Sequence, residues 1–129
     1  MNYYIASSFA NIQTVREVAN RLNQSGYQNM YDWTTSKVTD LEDLKKIAIR
    51  EKAAVMNCDV FIMIYPAGKS SNTELGLALA ANRKIFIYAT NHDILDVAKT
   101  SSFYQLPEVT VVFGNVTELT SLVLHDNIE

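Results

Sequence analysis

Residues 59–82 decide the fold, and they read Asp59-Val-Phe-Ile-Met-Ile-Tyr65, then Pro66-Ala-Gly-Lys-Ser-Ser-Asn72, then Thr73-Glu-Leu-Gly-Leu-Ala-Leu-Ala-Ala81. After Asp59 the first run is apolar, which is typical of a strand buried on both faces of a parallel sheet. The second run predicts a short loop, and the third predicts a helix from Thr73 to Asn82. A strand, a loop and a helix in this order direct backbone N–H groups to a place where an anion can bind.

The rest of the chain alternates strands and helices in the same way. Four further strands are predicted, at residues 3–6, 27–33, 84–89 and 109–113. Helices are predicted at residues 15–22, 40–57 and 116–124, with a short one from about residue 94. This alternation with short joins indicates a single α/β domain over residues 1–129, a flavodoxin- or Rossmann-like three-layer sandwich around a five-stranded, mainly parallel sheet.

The composition limits the classes of function. The chain has 129 residues, of which 48% are apolar, and a net charge of −3, so it lacks the basic surplus of a nucleic-acid-binding protein. No segment is long and apolar enough for a membrane span, and the N-terminus lacks the basic start of a signal peptide. The single cysteine, Cys58, cannot form an internal disulfide, which favours the cytoplasm. No cluster of side chains has metal-ligand spacing, so neither a metal nor a cofactor is expected.

Glu74 is the first candidate for chemistry. In sheets of this kind ligands bind at the carboxyl ends of the strands, and the loop before Glu74 lies at that rim. The predicted helix start at Thr73 places the Glu74 carboxylate where the helix dipole keeps it ionised. The residues alone support a simpler interpretation equally well, because Ser71-Asn-Thr-Glu74 matches a capping box in which Glu74 only ties down the helix.

Glu51 is the second candidate because it interrupts an apolar helix face. The apolar positions of that face are Leu41, Leu44, Ile47, Ala48, Ala54 and Val55. An unpaired buried carboxylate is costly, so Glu51 either faces a cavity shared with Glu74 or reaches the surface beside Arg50 or Lys52. Two carboxylates in different environments suit glycosyl transfer, with Glu74 as the nucleophile at the sugar C1′ atom.

Weaker candidates surround these two acids. Lys69, Ser70 and Ser71 could hold a phosphate together with loop amides, although the segment lacks the first glycine of a P-loop. Phe9 and Trp33 lie near the rim and could stack on a base, although aromatic residues at strand ends are more often part of the core.

Four segments of the chain carry a family resemblance. They are Tyr4-Ile-Ala-Ser-Ser-Phe9, Glu51 eight residues before Asp59, the strand Asp59-Val-Phe-Ile-Met-Ile, and Thr73-Glu-Leu-Gly-Leu-Ala78. Together they resemble the nucleoside 2-deoxyribosyltransferase superfamily, which includes the 2′-deoxynucleoside 5′-monophosphate N-glycosidases. The resemblance implies that Glu74 is the catalytic nucleophile and that Tyr4 contacts the nucleophile and the sugar. It also implies that the Ser70–Ser71 pair binds a 5′-phosphate, and that Glu51 replaces an aspartate that contacts the leaving group or the sugar.

The resemblance further implies a homodimer or higher homo-oligomer, in which the Thr100-Ser-Ser-Phe103 stretch of a neighbouring subunit completes the site. The candidate catalytic residues are therefore Glu74, Tyr4 and Glu51. The candidate substrate-binding residues are Ser7, Phe9, Trp33, Gly68, Lys69, Ser70, Ser71, Ser101 and Ser102.

The leading hypothesis is an enzyme that cleaves or exchanges the N-glycosidic bond of a (deoxy)nucleoside or nucleoside 5′-monophosphate. In it Glu74 attacks C1′, the base departs, and water or a second base resolves the glycosyl-enzyme. Two alternatives stay open: a nucleotide-binding or sensing module of related fold without turnover, and an oligomeric scaffold in which Glu74 only caps a helix. In the first two hypotheses the expected partner is a small-molecule nucleoside or nucleotide.

Overall fold

The computed structural model describes residues 1–126, which form a five-stranded sheet and the helices that pack on it. The strands are β1 (Asn2–Ala6), β2 (Gln28–Asn29), β3 (Val60–Tyr65), β4 (Lys84–Ala89) and β5 (Val109–Val112). The helices are α1 (Ile12–Gln24), α2 (Leu41–Asn57), α3 (Lys69–Ala80) and α4 (Val116–Asp126). Short 3-10 turns lie at Phe9–Asn11, Trp33–Thr35, His92–Leu95 and Ser102–Gln105.

The sheet has the strand order β2-β1-β3-β4-β5, and every neighbouring pair of strands is parallel. Helix α1 contacts α4, and α2 contacts α3. The strand order reverses between β1 and β3, which is where ligands bind in sheets of this type. This architecture confirms the predicted Rossmann-like α/β class with five parallel strands. No helix within residues 1–126 is long and apolar enough to cross a bilayer.

Side chains of β1 and β3 show how the two faces of the sheet are covered. Residues 60–64 of β3 are all buried, as expected for a central parallel strand. Tyr3 and Tyr4 of β1 are both fully buried and point to opposite faces. The Tyr3 hydroxyl donates to Asn23 Oδ1 of α1 at 2.7 Å, whereas the Tyr4 hydroxyl contacts α2 and α3.

Two predicted boundaries before β3 differ from the structure. The second predicted strand is paired only over Gln28–Asn29, because the chain then leaves the sheet for a 3-10 turn that begins where Asp32 accepts a hydrogen bond from Thr34 N. Helix α2 is capped by Asp40 rather than by Thr39, the residue that a capping box would use. Both differences arise from side-chain hydrogen bonds in polar segments, where periodicity carries little information.

Helix α3 begins at Lys69, four residues before the predicted start at Thr73. Gly68 is its N-cap, with an extended backbone conformation. The polar residues 69–72 form the first turn, which is stabilised by a hydrogen bond from Asn72 Nδ2 to Gly68 O at 2.8 Å. The loop between β3 and α3 is therefore only Pro66–Gly68 long, and Glu74 lies in the second turn of the helix.

Candidate active site

A cavity of about 350 Å³ opens where the chain leaves β1 and β3. The loops after these strands and the start of α3 contribute Ser7, Ser8, Phe9, Gly68, Lys69, Ser70, Ser71 and Glu74. The Trp33 turn and α2 contribute Trp33, Ser36, Val38, Leu44, Ile47 and Glu51. The cavity thus brings together the candidate site residues named from the sequence, except Tyr4, which lies just beneath it, and Ser101 and Ser102.

The cavity wall contains two carboxyl groups that share one buried tyrosine. Tyr4 Oη donates to Oε2 of Glu74 at 2.8 Å and lies 3.1 Å from Oε2 of Glu51. The two carboxyl groups are close enough to influence each other's protonation. Glu74 is 6% exposed, and Glu51 is half-buried. Glu51 lines the cavity and forms no ion pair within residues 1–126.

Burial and mutual repulsion determine how these groups are protonated. Burial, followed by the negative charge of Glu51, raises the pKa of Glu74 to about 8. Burial also raises the pKa of Glu51, and burial together with the Glu74 charge raises the pKa of Tyr4. Because two carboxylates in contact repel each other, the pair keeps one proton between its oxygens at neutral pH.

The prediction that the helix dipole keeps Glu74 ionised is wrong. The dipole acts within the first turn, and Glu74 lies beyond it in a buried position that favours the protonated form. The capping-box interpretation is wrong as well, because Gly68 is the N-cap and the Ser71 hydroxyl donates to Ser7 O at 3.2 Å. Glu74 is held by the sheet, through Tyr4, and not by its own helix. This removes the basis of the scaffold hypothesis.

The loop between β3 and α3 is fixed by side chains on either side of it. Asn11 Nδ2 donates to Pro66 O at 2.8 Å, and Asn72 Nδ2 donates to Gly68 O at 2.8 Å. The Tyr104 hydroxyl donates to Asn72 Oδ1 at 2.5 Å and so orients the Asn72 amide. Each of these bonds restrains a loop that lines the cavity.

The start of α3 has the properties of an anion site. The first N–H groups of a helix have no intrahelical partner, and here they follow the extended Gly68. The side chains of Lys69 and Ser70 are exposed beside them at the cavity. Ser7 and Ser71 differ from these two, because each hydroxyl already donates to a backbone carbonyl. Ser7 and Ser71 therefore position the loops, whereas Lys69 and Ser70 are available to a ligand.

The opposite wall of the cavity is apolar. Phe9 and Trp33 meet edge to face, with ring centroids 5.2 Å apart, and Trp33 Nε1 donates to a β1 carbonyl at 2.6 Å. Trp33 is 7% exposed, so it supports the cavity, while Phe9 is 59% exposed and accessible to a ligand. Leu44 and Ile47, two of the apolar positions on the α2 face that Glu51 interrupts, also line this wall. Because these two residues lie on the same helix face as Glu51, the sequence already indicated that all three would face the same cavity.

Ser101 and Ser102 lie away from the carboxyl pair. Ser101 Oγ accepts a hydrogen bond from Phe103 N at 3.2 Å, and both Ser101 and Phe103 line a separate cavity of about 150 Å³ against α3. Within one chain neither serine lines the larger cavity, so their role stays a prediction that requires a second subunit. No group of three or more possible metal ligands occurs among residues 1–126.

Comparisons with known proteins agree with this fold. No protein-family model and no curated protein sequence matches the chain. Among solved structures, the chain is similar to the CMP N-glycosidase BcmB of Clostridium botulinum, with 15% identity, a TM-score of 0.65, and coverage of 95% of this chain and 98% of that one. It is also similar to a de novo designed Rossmann 2x3 fold protein, with 18% identity, a TM-score of 0.57, and coverage of 99% and 91%.

Identities this low show a shared fold and no more. The fold and the site define a Rossmann-like α/β protein in which one buried tyrosine bridges two carboxyl groups, at the point where the strand order of the sheet reverses. The similar N-glycosidase structure agrees with the fold implied by the resemblance to nucleoside deoxyribosyltransferases. Membership of that superfamily stays a prediction.

Proposed function

We propose that this protein is an enzyme that cleaves the N-glycosidic bond of a nucleoside or nucleoside 5′-monophosphate, or exchanges its base, with Glu74 as the nucleophile. The observation that carries the proposal is the contact of Tyr4 with both Glu74 and Glu51 at the wall of a ligand-sized cavity. The similar structure is that of a CMP N-glycosidase, which supports the same class of reaction.

The two carboxyl groups divide the first step between them. Burial raises the pKa of both carboxyl groups, and the charge of Glu51 raises that of Glu74 further, so the pair holds one proton at rest. When a substrate places C1′ beside Glu74, transfer of this proton to Glu51 leaves Glu74 as a carboxylate. A Glu74 oxygen then bonds to C1′ while the C1′–N bond breaks. The electron pair of that bond goes to the base nitrogen, which takes the proton from Glu51.

Water completes the proposed cycle. Glu51, now a carboxylate, takes a proton from water as the water oxygen bonds to C1′. The ester bond between C1′ and Glu74 breaks, and its electron pair returns to the Glu74 carboxylate. A second base in place of water gives base exchange. Tyr4 donates to Glu74 Oε2 and so holds the nucleophile at one position during both steps.

The cavity lining suggests how the substrate is oriented. The start of α3, with Gly68, Lys69 and Ser70, suits the 5′-phosphate because it combines free helix amides with a cation. The exposed ring of Phe9 and the apolar side chain of Ile47 suit the base. The carboxyl pair lies between these two ends, where the sugar would be held.

A second copy of the chain would complete the site in this proposal. The segment that contains Ser101 and Ser102 also exposes large apolar side chains, with Leu95 at 57%, Val97 at 93% and Phe103 at 60%. Burial of such side chains against another copy is favourable. Phe103→Asp should therefore give a folded monomer by analytical ultracentrifugation, with reduced base release. A wild-type monomer with full activity would contradict this arrangement.

The enzymatic proposal is tested by offering the protein a panel of nucleosides and 5′-monophosphates, with and without a free acceptor base. Base release and exchange are followed by liquid chromatography. We expect release by the wild type, no release by Glu74→Ala, and unchanged release by Glu108→Ala, which alters an exposed acid outside the cavity. Circular dichroism shows whether the variants keep the fold. Equal release by Glu74→Ala and the wild type would exclude Glu74 as the nucleophile.

A binding or sensing module without turnover is the second candidate. The observation that favours it is the raised pKa of Glu74, because a nucleophile must be ionised and burial opposes ionisation. The two candidates differ in one measurement. A catalyst releases base at a rate that falls as the pH rises above about 8, because the pair then loses the proton that Glu51 gives to the base. A sensor binds a nucleotide at every pH in this range without releasing base.

A further inference from the structure

A second, smaller cavity adjoins the candidate active site beside the first half of α2. It has a volume of about 130 Å³, and Ser36 and Ile47 line both this cavity and the larger one. On its loop side, the Tyr31 and Ser36 hydroxyls hydrogen bond to each other at 2.7 Å. We call this smaller cavity the basic notch. Because the two cavities share a wall, a ligand in the larger one can extend a substituent into the basic notch.

The basic notch has a surplus of positive charge. Lys37, Lys46 and Arg50 line it, together with the carboxylate of Asp43. Asp43 Oδ2 is engaged by Thr39, accepting hydrogen bonds from the amide at 3.1 Å and from the hydroxyl at 2.8 Å. None of the three cations forms an ion pair within the described part of the chain. Three cations thus gather against one carboxylate on a chain whose net charge is −3.

The position of the basic notch decides which part of a substrate it would meet, and this step rests on the proposed function. The 5′-phosphate is assigned to the start of α3, so the base lies at the other end of the cavity. Ile47 lies one helical turn before Glu51 on α2, and it lines the basic notch as well. The edge of the base that is farthest from C1′ therefore faces the basic notch.

We propose that the basic notch binds an acidic substituent on the leaving base, so that the preferred substrate is a nucleotide whose base carries a carboxylate. The paired N–H groups of Arg50 match a planar carboxylate, and the ammonium groups of Lys37 and Lys46 add charge complementarity. The volume of about 130 Å³ is well below the roughly 300 Å³ of the smallest ordinary ligand pockets. It therefore suits a substituent and not a whole ligand.

The test compares two nucleotides that differ at position 5 of the base. 5-Carboxycytidine and 5-methylcytidine 5′-monophosphates are titrated by calorimetry into Glu74→Gln, which cannot use Glu74 as a nucleophile. We expect the carboxylated nucleotide to bind about tenfold more tightly, the effect of one charge-assisted hydrogen bond. Adding Lys46→Gln and Arg50→Gln should remove this preference and leave the affinity for the methylated nucleotide unchanged. Adding Lys45→Gln, an exposed position that lines neither cavity, should keep the preference.

Three results would overturn the inference. The two nucleotides could bind equally well, the preference could survive the Lys46 and Arg50 substitutions, or neither nucleotide could bind. Base release by the wild type is measured separately, so that the two proposals can fail independently. A carboxylate preference without release keeps the basic notch as the carboxylate site of a binding protein and refutes the enzymatic proposal. Release without a preference refutes the basic notch and leaves the enzymatic proposal intact.

Discussion

Replacing Glu74 by glutamine should stabilise the protein at pH 8 and not at pH 5. The pKa of Glu74 rises from its ordinary 4.5 to about 8 on folding, because the side chain is only 6% exposed and lies against Glu51. Below pH 4.5 both the folded and the unfolded chain hold the proton, so Glu74 carries no penalty there. Above it the unfolded chain loses the proton first, which costs the folded state about 1.36 kcal/mol per pH unit until the folded chain ionises too. The penalty is about 1 kcal/mol at pH 5 and about 4 kcal/mol at pH 8.

Glutamine keeps the geometry and removes the charge. The carbonyl of this glutamine can accept a hydrogen bond from Tyr4, and its amide can donate one to Glu51. Burying the amide lowers the free energy of unfolding by about 1–2 kcal/mol, which offsets part of the stabilisation. Urea unfolding followed by circular dichroism should give a gain of at least about 2 kcal/mol at pH 8 and no gain at pH 5. Glu108→Gln, an exposed control, should change neither value. A Glu74→Gln protein that is no more stable than the wild type at pH 8, or equally stabilised at both pH values, would refute the burial argument.

Three further substitutions probe the site. Tyr4→Phe should lower stability by about 1 kcal/mol and move the basic limb of the pH–rate profile to higher pH, since the Tyr4 hydrogen bond lowers the pKa of Glu74; an unmoved limb contradicts this. Glu51→Gln should slow base release at least about 100-fold and be partly rescued by an analogue with a better leaving group, whereas no rescue excludes Glu51 as the proton donor. Tyr104→Phe frees Asn72 and should raise KM for 5′-monophosphates more than for nucleosides; equal effects would separate Tyr104 from the phosphate end of the cavity.

The sequence predicts the centre of the sheet well and its edges poorly, for a physical reason. β3 and β4 are covered on both faces, so they are apolar at nearly every position and can be recognised from composition alone. β2 pairs over only two residues at the sheet edge, and its end is determined by the Asp32 side chain rather than by a change in hydrophobicity. Residues 69–72 look like a loop, and they become helical because Asn72 and Gly68 bond to each other.

The sequence predicts which two acids belong to the candidate site, but it does not predict how their pKa values shift. Helical periodicity identified Glu51 as an acid on an apolar face, and the structure brings it to the same tyrosine hydroxyl as Glu74. No periodic pattern distinguishes Tyr4, whose hydroxyl joins them, from the other buried side chains of its strand. The sign of the Glu74 pKa shift was predicted wrongly because it depends on burial, and burial depends on where α3 begins.

Tyr3 and Tyr4 are consecutive, and their hydroxyls bond on opposite sides of the sheet, to Asn23 and to Glu74. A one-residue slip of β1 along β3 would turn each side chain to the other face. The apolar neighbours of β1 could tolerate that slip, but it would separate both phenols from their acceptors and leave the Glu74 carboxyl buried without a donor. The two phenols therefore select a single strand alignment. The buried Glu74 carboxyl lowers the stability of the native fold at high pH, and it also makes the alternative register of the sheet less stable than the native one.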